Sequence, residues 1–364
     1  MESPIKYFSN LTDPRIERTK EHLLDDILFI AIASVICGAE SWNDMENYGK
    51  SKEAWLKGFL KLPNGIPSHD TFNRVFSTLD PQELETCFLD WVKSVAEITK
   101  GEVISIDGKS IRGSKEKGSK SIVHMVSAWA NANHMVLGQV KVNEKSNEIT
   151  AIPRLLKVLV LEGCIVTIDA MGCQKEIAKK IIKKGADYIL AVKGNQGSLE
   201  EGVKDTVRFA KPIDEDEHVD SGHGRVETRR CCLYNDFSHI EEPSKWKNLK
   251  AIVKIEAERY IKSTGQTQKE TRLYITSYGG SAKTISSAIR AHWGVENSLH
   301  WVLDVSFGED ASRKREGHSA QNFSMLNRIA LNLVKNEQSK KRSVKGKRLD
   351  AGWDNDYLLK ILKN

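Results

Sequence analysis

Two short stretches, VISID (103–107) and IVTID (165–169), run through apolar residues and stop at an aspartate followed by a small residue. A strand with a buried face normally excludes charge, so a carboxylate at the end of each needs a reason. In open sheets with parallel strands, sites gather beyond the carboxyl ends of the strands. If the two strands are neighbours, Asp107 and Asp169 project from one edge. There they would repel, and one would hold its proton unless a cation lay between them. Ligation by oxygen alone suits Mg²⁺ or Mn²⁺ rather than zinc. The plainer alternative is that each aspartate is an ordinary helix N-cap or turn residue. Two matching strand ends within one strand order weigh toward the site.

A third carboxylate lies in TISSAIRAHWGVENSLHWVLD (284–304), where Ile285, Ile289, Trp293, Leu299 and Leu303 form an apolar helical stripe and Glu296 falls on it. A carboxylate on a core-facing stripe must be neutral, paired or bound to metal. His292, Glu296, His300 and Asp304 also recur every four residues and so form one row. That row admits a His/Glu/His zinc site, although its spacing matches neither HExxH nor the ferritin-like pattern. It also admits a plain solvated edge, or a glutamate that completes a site with the two aspartates. Three carboxylates holding two metal ions suit phosphodiester cleavage and transfer, with one ion activating water or a 3′-hydroxyl and the other stabilising the leaving oxygen. The substrate implied is nucleic acid.

The elements that would position these groups are set by periodicity. Residues 1–100 read as helical. Leu23, Leu24, Ile27, Leu28, Ala31, Ile32, Val35 and Ile36 keep i, i+3/i+4 spacing, Ser68 caps a helix over HDTFNRVFSTL, and another helix covers 81–98 from Pro81. From 101 the period becomes strand-like: GEVISID, then SIVHMVSAWA (121–130) and HMVLGQVKV (134–142) as a hairpin around NAN. A helix over 148–161, the strand CIVTIDA (164–170), a helix over 174–185 ending at Gly185, the strand DYILAVK (187–193) and a helix over 197–210 complete the series. This order predicts an α/β chain with a mixed sheet, first an antiparallel meander and then parallel strands joined by crossover helices. Short β-like pieces over 211–283 interrupt it, and a final long helix begins near Thr284. The tail after Val334 carries seven lysines and arginines through Arg348 and reads as mobile in part, a non-specific phosphate contact or a solvated tail.

Composition narrows the classes without choosing one. At 364 residues with 40% hydrophobic and 29% charged content, the chain suits a globular protein with a real core. The net charge of +6 permits a nucleic-acid partner. None of the six cysteines forms CxxC, which argues for a reduced, cytoplasmic chain and against a zinc ribbon. The N-terminus has no apolar signal region, and the longest apolar run, ILFIAIASVIC (27–37), is too short to span a bilayer and reads as a buried helix. No membrane partner is expected.

Seven stretches together resemble the DDE-type insertion-sequence transposases, specifically the H-repeat-associated group. They are IPSHDTFNRVF (66–76), ISIDGKSIRGS (104–114), VTIDAMGCQ (166–174), DYILAVKGNQ (187–196), GHGRVETR (222–229), IRAHWGVENSLHWVLDVSFGEDASR (289–313) and NFSMLNRIALNL (322–333). The resemblance implies a ribonuclease-H-like mixed sheet flanked by helices, split into 101–210 and 284–335 by a β-rich insertion over 211–283. Apart from the resemblance, His69 to Phe76 after the Pro/Gly break could open a helix by which an N-terminal helical domain over 1–100 meets DNA ends, with a packing role as the alternative, and a basic tail with a terminal helix would fill 336–364. Asp107, Asp169 and Glu296 would be the catalytic triad on two Mg²⁺ or Mn²⁺ ions. The partners implied are transposon-end and target DNA, with a homodimer on the DNA. The wider superfamily carries a Tyr, Arg, Glu, Lys signature around the glutamate. Here His292 and Leu303 stand at the arginine and lysine positions, which weakens any transfer of DNA-end contacts but not of the glutamate.

Further DNA contacts are expected from donors near the triad: Lys109, Arg112, Lys193, Asn195, Gln196, His292 and His300, each with a solvated turn or plain polar face as the alternative. Arg225 and Arg229, with Glu227, would share one face of a strand. Arg313, Lys314 and Arg315 would help clamp DNA. Two other functions use the same residues: a domesticated or inactive relative that binds DNA without cutting it, and a metal-dependent nuclease without strand transfer.

Overall fold

The computed structural model describes residues 5–115, 122–143, 146–222 and 224–363. Ser121, which opens the stretch SIVHMVSAWA, and His223 in GHGRVETR lie outside the described residues. The chain begins with helices α1 (Ile5–Phe8), α2 (Leu24–Ile36), α3 (Trp42–Ser51), α4 (Glu53–Leu56), α5 (His69–Thr78) and α6 (Pro81–Val95). Two starts are those the sequence signals: Ser68 accepts from the Thr71 N–H, and Asp80 accepts from the Gln82 N–H ahead of Pro81; Ser41 and Asp44 add a capping box at α3. Helix α2 is apolar almost all round and therefore needs burial all round. It packs between α3 and the C-terminal helices α12 (Ser319–Asn336), α13 (Val344–Trp353) and α14 (Asn355–Lys363). Residues from both ends of the chain thus share one hydrophobic core.

That packing corrects the reading of the basic tail as mobile. Lys347 and Arg348 are buried, Lys347 donating to the Glu337 carbonyl and Arg348 to that of Val35 at 2.8 Å. Lys340 and Arg342 both pair with Asp350. The density of charge hid an apolar set, Tyr357, Leu358, Ile361 and Leu362, that anchors the last helix in the core. Most of these cations pair with the chain's own carboxylates or donate to its carbonyls. Among the described residues, no helix is long and apolar enough to cross a membrane.

Among the described residues, nine strands make one sheet in the order β3-β2-β1-β4-β5-β9-β8-β7-β6. They are β1 (Val103–Ile111), β2 (Val123–Ala130), β3 (Met135–Lys141), β4 (Ile165–Ile168), β5 (Asp187–Val192), β6 (Asp214–Gly222), β7 (Arg225–Tyr234), β8 (Ala251–Ile261) and β9 (Gln266–Thr276). Strands β1, β2 and β3 form an antiparallel meander, and β1, β4 and β5 are parallel neighbours. Helices α7 (Glu148–Val158) and α8 (Lys175–Lys183) make the crossovers, and Gly185 stands just past α8 at φ +73°. These five strands form the ribonuclease-H-like arrangement implied by the resemblance.

The β-rich segment does not interrupt the sheet in short pieces. Its strands run 9 to 11 residues, and β9 pairs antiparallel with β5 from Ile189↔Thr276 to Val192↔Leu273, so they extend the sheet. An unpaired edge on β5 would expose its backbone donors and acceptors, and β9 covers it. The new outer edge, β6, carries Asp214, Glu215, Asp216, Glu217 and Asp220 and is mostly exposed, which discourages further pairing.

Helix α9 (Gly197–Phe209) packs where only a glycine fits. A Cβ on Gly202 would stand 2.2 Å from the His239 carbonyl oxygen, a backbone atom that cannot swing aside. Gly202→Ala is expected to destabilise the protein by about 1–3 kcal/mol, read as a lower denaturant midpoint at unchanged slope.

The last helical stretch is not one α-helix. Helix α10 (Ala282–Gly294), capped by Ser281, passes into a π-helical turn over Val295–His300 and then into α11 (Trp301–Phe307). Helix α10 lays Ile285, Ala288 and Ile289 on the sheet face formed by Ile165, Ile189, Val253 and Tyr274.

Candidate active site

The parallel pairing of β1 with β4 runs from Val103↔Ile165 to Ile106↔Ile168. The next residues on the two chains are Asp107 and Asp169, so the register alone brings the aspartates to adjacent strands, which lie about 4.8 Å apart. Asp107 does not end its strand. β1 continues to Ile111, with Asp107 opposite Ser127 and Gly108 opposite Val126 on β2. The strand end read at Asp107 is therefore not there; it is β4 that stops. Asp169 serves as a cap as well, its carboxylate accepting from Gly172 at 3.4 Å across the 3-10 turn Ala170–Gly172. The cap and the site are thus compatible readings.

Glu296 sits in the π-helical turn and is exposed, which corrects its expected place on a core-facing stripe. A π turn holds more residues than an α turn and rotates the helix beyond it. The buried stripe continues through Val295, Leu299 and Leu303, whereas Trp293 is 42% exposed and lies 4.5 Å under the Arg272 guanidinium. Glu296 faces an open cavity of about 530 Å³ that Asp107, Asp169, His292, Lys193 and Arg272 also line.

Burial, with the charges of Asp169, Glu148 and Glu296 behind it, pushes the Asp107 carboxyl up to about 7, against the Gly108 N–H that it accepts at 2.8 Å. Asp169 is raised by burial and then by Glu148. The two histidines behave oppositely. Burial lowers His292 to about 4, and burial with the Arg328 and Lys109 cations lowers His300 to about 3, so both rings are neutral at pH 7. His292 Nδ1 meets Thr167 Oγ1 at 2.9 Å, and His300 Nδ1 lies 3.5 Å from Asp107 Oδ2.

As the side chains stand, no group of three or more His, Cys, Asp and Glu among the described residues closes around a metal ion. The His/Glu/His zinc row is accordingly not formed: its two histidines turn toward Thr167 and Asp107. A hard divalent cation does fit the donor chemistry. The groups facing the cavity are carboxylates, and the charges of Asp169 and Glu296 add to the burial that raises Asp107, which an ion coordinated by oxygen relieves. Beside them His300 Nε2 is buried without a hydrogen-bond partner among the described residues.

The expected DNA contacts divide. Lys109 is buried and ion-paired to Asp304 at 2.7 Å and Asp310 at 3.1 Å, so it holds a loop against the site and is not free for a phosphate. Lys314 is likewise enclosed, over Phe323 at 3.4 Å and donating to the Glu40 carbonyl. Asn195 donates to the Ala170 carbonyl and Gln196 to Gln174, which secure the turn after Asp169. Arg112, Lys193 and Arg313 are exposed, while Arg315 is partly buried and donates to the Gly113 carbonyl. Arg225, Glu227 and Arg229 do share a face, where with Arg259, Arg272 and Arg290 they line a second groove of about 580 Å³. Sequence reasoning missed Glu148, His124 and the role of Ser110. Glu148 is the first-turn acid after the Asn147 cap, and no spacing links it to the aspartates.

Sequence comparison gives the class to which this chain belongs. Residues 98–333 match the family described as "Transposase DDE domain", and residues 5–92 match the segment described as "DDE_Tnp_1-associated". The chain belongs to the DDE transposase family. It is 43% identical to "Putative transposase YncI" of Escherichia coli O157:H7 over 100% of this chain and 95% of that one. It is 39% identical to "H repeat-associated putative transposase YhhI" of Escherichia coli K12 over 98% and 97%. A shorter match, 48% identical over 15% of this chain and 67% of the other, is to "Inactive transposase YbfQ" of the same strain.

Proposed function

We propose that this transposase is catalytically competent, cutting DNA at transposon ends and joining the freed 3′-hydroxyl to target DNA, with Asp107, Asp169 and Glu296 as its metal-binding triad. The observation that carries this reading is that three acidic residues from three separate segments face one cavity at the carboxyl end of β4. The three carboxylates would hold Mg²⁺ or Mn²⁺. When bound, such ions supply an activated oxygen nucleophile and charge stabilisation for the leaving oxygen. The chain's own part is orientation. The β1–β4 register sets the aspartates side by side, the π turn swings Glu296 out of the core toward them, and neutral His292 and His300 add no competing charge. Arg112, Lys193 and the arginine groove around Arg225 and Arg229 would carry the DNA backbone. The protein would act as a homodimer on paired ends.

Purified protein incubated with end-containing DNA and Mg²⁺ or Mn²⁺ is expected to yield nicks and joined products that disappear in Asp169→Asn and Glu296→Gln. Cleavage without joined ends would make it a nuclease. Tight DNA binding with no cleavage under either metal would make it a binding protein.

A further inference from the structure

Glu148 approaches the same centre from the opposite side of the sheet. Asp107 shares its β1 face with Ser105, whose pairing partner Thr167 meets α10, whereas Glu148 opens α7, which packs against β2, β3 and the turn Ala170–Gly172. Its carboxylate lies directly over Gly108: a Cβ there would stand 2.0 Å from Glu148 Oε1. The φ of Gly108 is not positive, so backbone conformation does not demand a glycine at this position. The space occupied by the carboxylate does. On the other side of Glu148, the β1–β2 register sets Ser110 opposite His124. His124 Nε2 meets Glu148 Oε1 at 2.7 Å and its Nδ1 meets Ser110 Oγ at 2.8 Å. An ionised carboxylate only accepts, so Nε2 carries the hydrogen, and the ring fixes which way Glu148 faces.

On the basis of the metal-dependent reading above, we propose that Glu148 is a fourth carboxylate of the centre, taking part in divalent-cation binding beside Asp107 and Asp169, with His124 and Ser110 as positioning residues. Three observations converge on this. The charge of Glu148 acts on both aspartates. Gly108 leaves the room that lets the carboxylate reach the aspartate edge. His300, 9% exposed, sets its Nδ1 3.5 Å from Asp107 Oδ2, and its Nε2 is buried without a hydrogen-bond partner among the described residues.

The test uses the full-length protein and Mn²⁺ alone, with uptake measured by loss of the free-ion electron paramagnetic resonance signal and by the rise in melting temperature. Glu148→Gln is expected to weaken Mn²⁺ binding at least about 10-fold, and His124→Ala less. Gly108→Ala keeps the carboxylate but displaces it, and should resemble Glu148→Gln. Glu148→Asp, which keeps the charge, should recover part of the loss. Circular dichroism melts in chelator show that each variant folds. If Glu148→Gln and Gly108→Ala both bind Mn²⁺ like the parent while Asp107→Asn does not, the fourth carboxylate is refuted and the triad stands. If Asp107→Asn also binds and cleaves like the parent, the triad itself fails. A parent chain that takes up no Mn²⁺ at millimolar concentration overturns the inference as well.

Discussion

Asp107→Asn is expected to abolish cleavage and, in the same protein, to raise the stability of the metal-free fold above neutral pH. The two effects share a cause. Burial and three neighbouring carboxylates hold Asp107 at about 7, against 3.8 for an ordinary aspartate. A carboxyl raised on folding contributes stability that is complete below its unfolded value and is lost as the pH climbs through the folded one. Between about pH 4 and pH 8 this amounts to something on the order of 4 kcal/mol. Asparagine carries no charge at any of these pH values and still accepts from the Gly108 N–H. In chelator at pH 8 the variant should therefore melt higher than the parent, and the gap should close toward pH 4. Adding Mn²⁺ should lift the parent and not the variant. Cleavage should fall by more than about 100-fold, since even supporting residues of metal sites cost 10- to 100-fold. A variant that melts lower than the parent at pH 8 would show that Asp107 is held by favourable contacts, and the strained-carboxylate account would be wrong.

Arg328→Met should be the most damaging single change to the scaffold. Arg328 is fully buried on α12 and donates to Glu309 Oε1 at 2.5 Å, to Ser324 Oγ at 2.7 Å and to the Ser324 carbonyl at 3.0 Å. Glu309 is only 1% exposed. Removing one partner strands the other charge in the core, a loss of about 3–5 kcal/mol. Replacing both, as Arg328→Met with Glu309→Leu, should recover much of it, because the cost lies in the orphaned charge more than in the lost attraction. Chemical denaturation of the two single variants and the double variant measures this coupling. The pair also bears on the site. Glu309 opens the short turn Glu309–Ala311, and the next residue, Asp310, binds Lys109 two places after Asp107. Cleavage by Arg328→Met should drop even at temperatures where the protein remains folded.

Buried ion pairs of this kind explain why charge was the least reliable guide in the sequence. Lys109, Lys314, Lys347 and Arg348 are indistinguishable by type from Arg112 and Lys193. Yet the first four are enclosed and partnered, while the last two are exposed. A long cationic side chain reaches several ångströms and can bury its stem, so its destination depends on what the fold puts within reach. The arginine groove shows the converse. The alternation Arg225, Glu227, Arg229 was visible as one strand face, but Arg259, Arg272 and Arg290 reach it only because β8, β9 and α10 pack there.

By itself the sequence determined the local elements and the two aspartates. Apolar runs with period two ended at Asp107 and Asp169, helical stripes with serine and aspartate caps lay between and before them, and those signals depend on residues within a few positions of one another. The tertiary structure alone decided three things. It carried β1 past Asp107 because β2 continues to supply hydrogen-bond partners after β4 has ended. It inserted a π turn at Val295–His300, which moved Glu296 from a presumed core stripe to the cavity, a change of rotation that a 3.6-residue period does not register. And it set Glu148 over Gly108, with His124 and Ser110 in line behind it, through strand register and helix packing, contacts between residues 14 to 40 positions apart that leave no periodic trace in the chain.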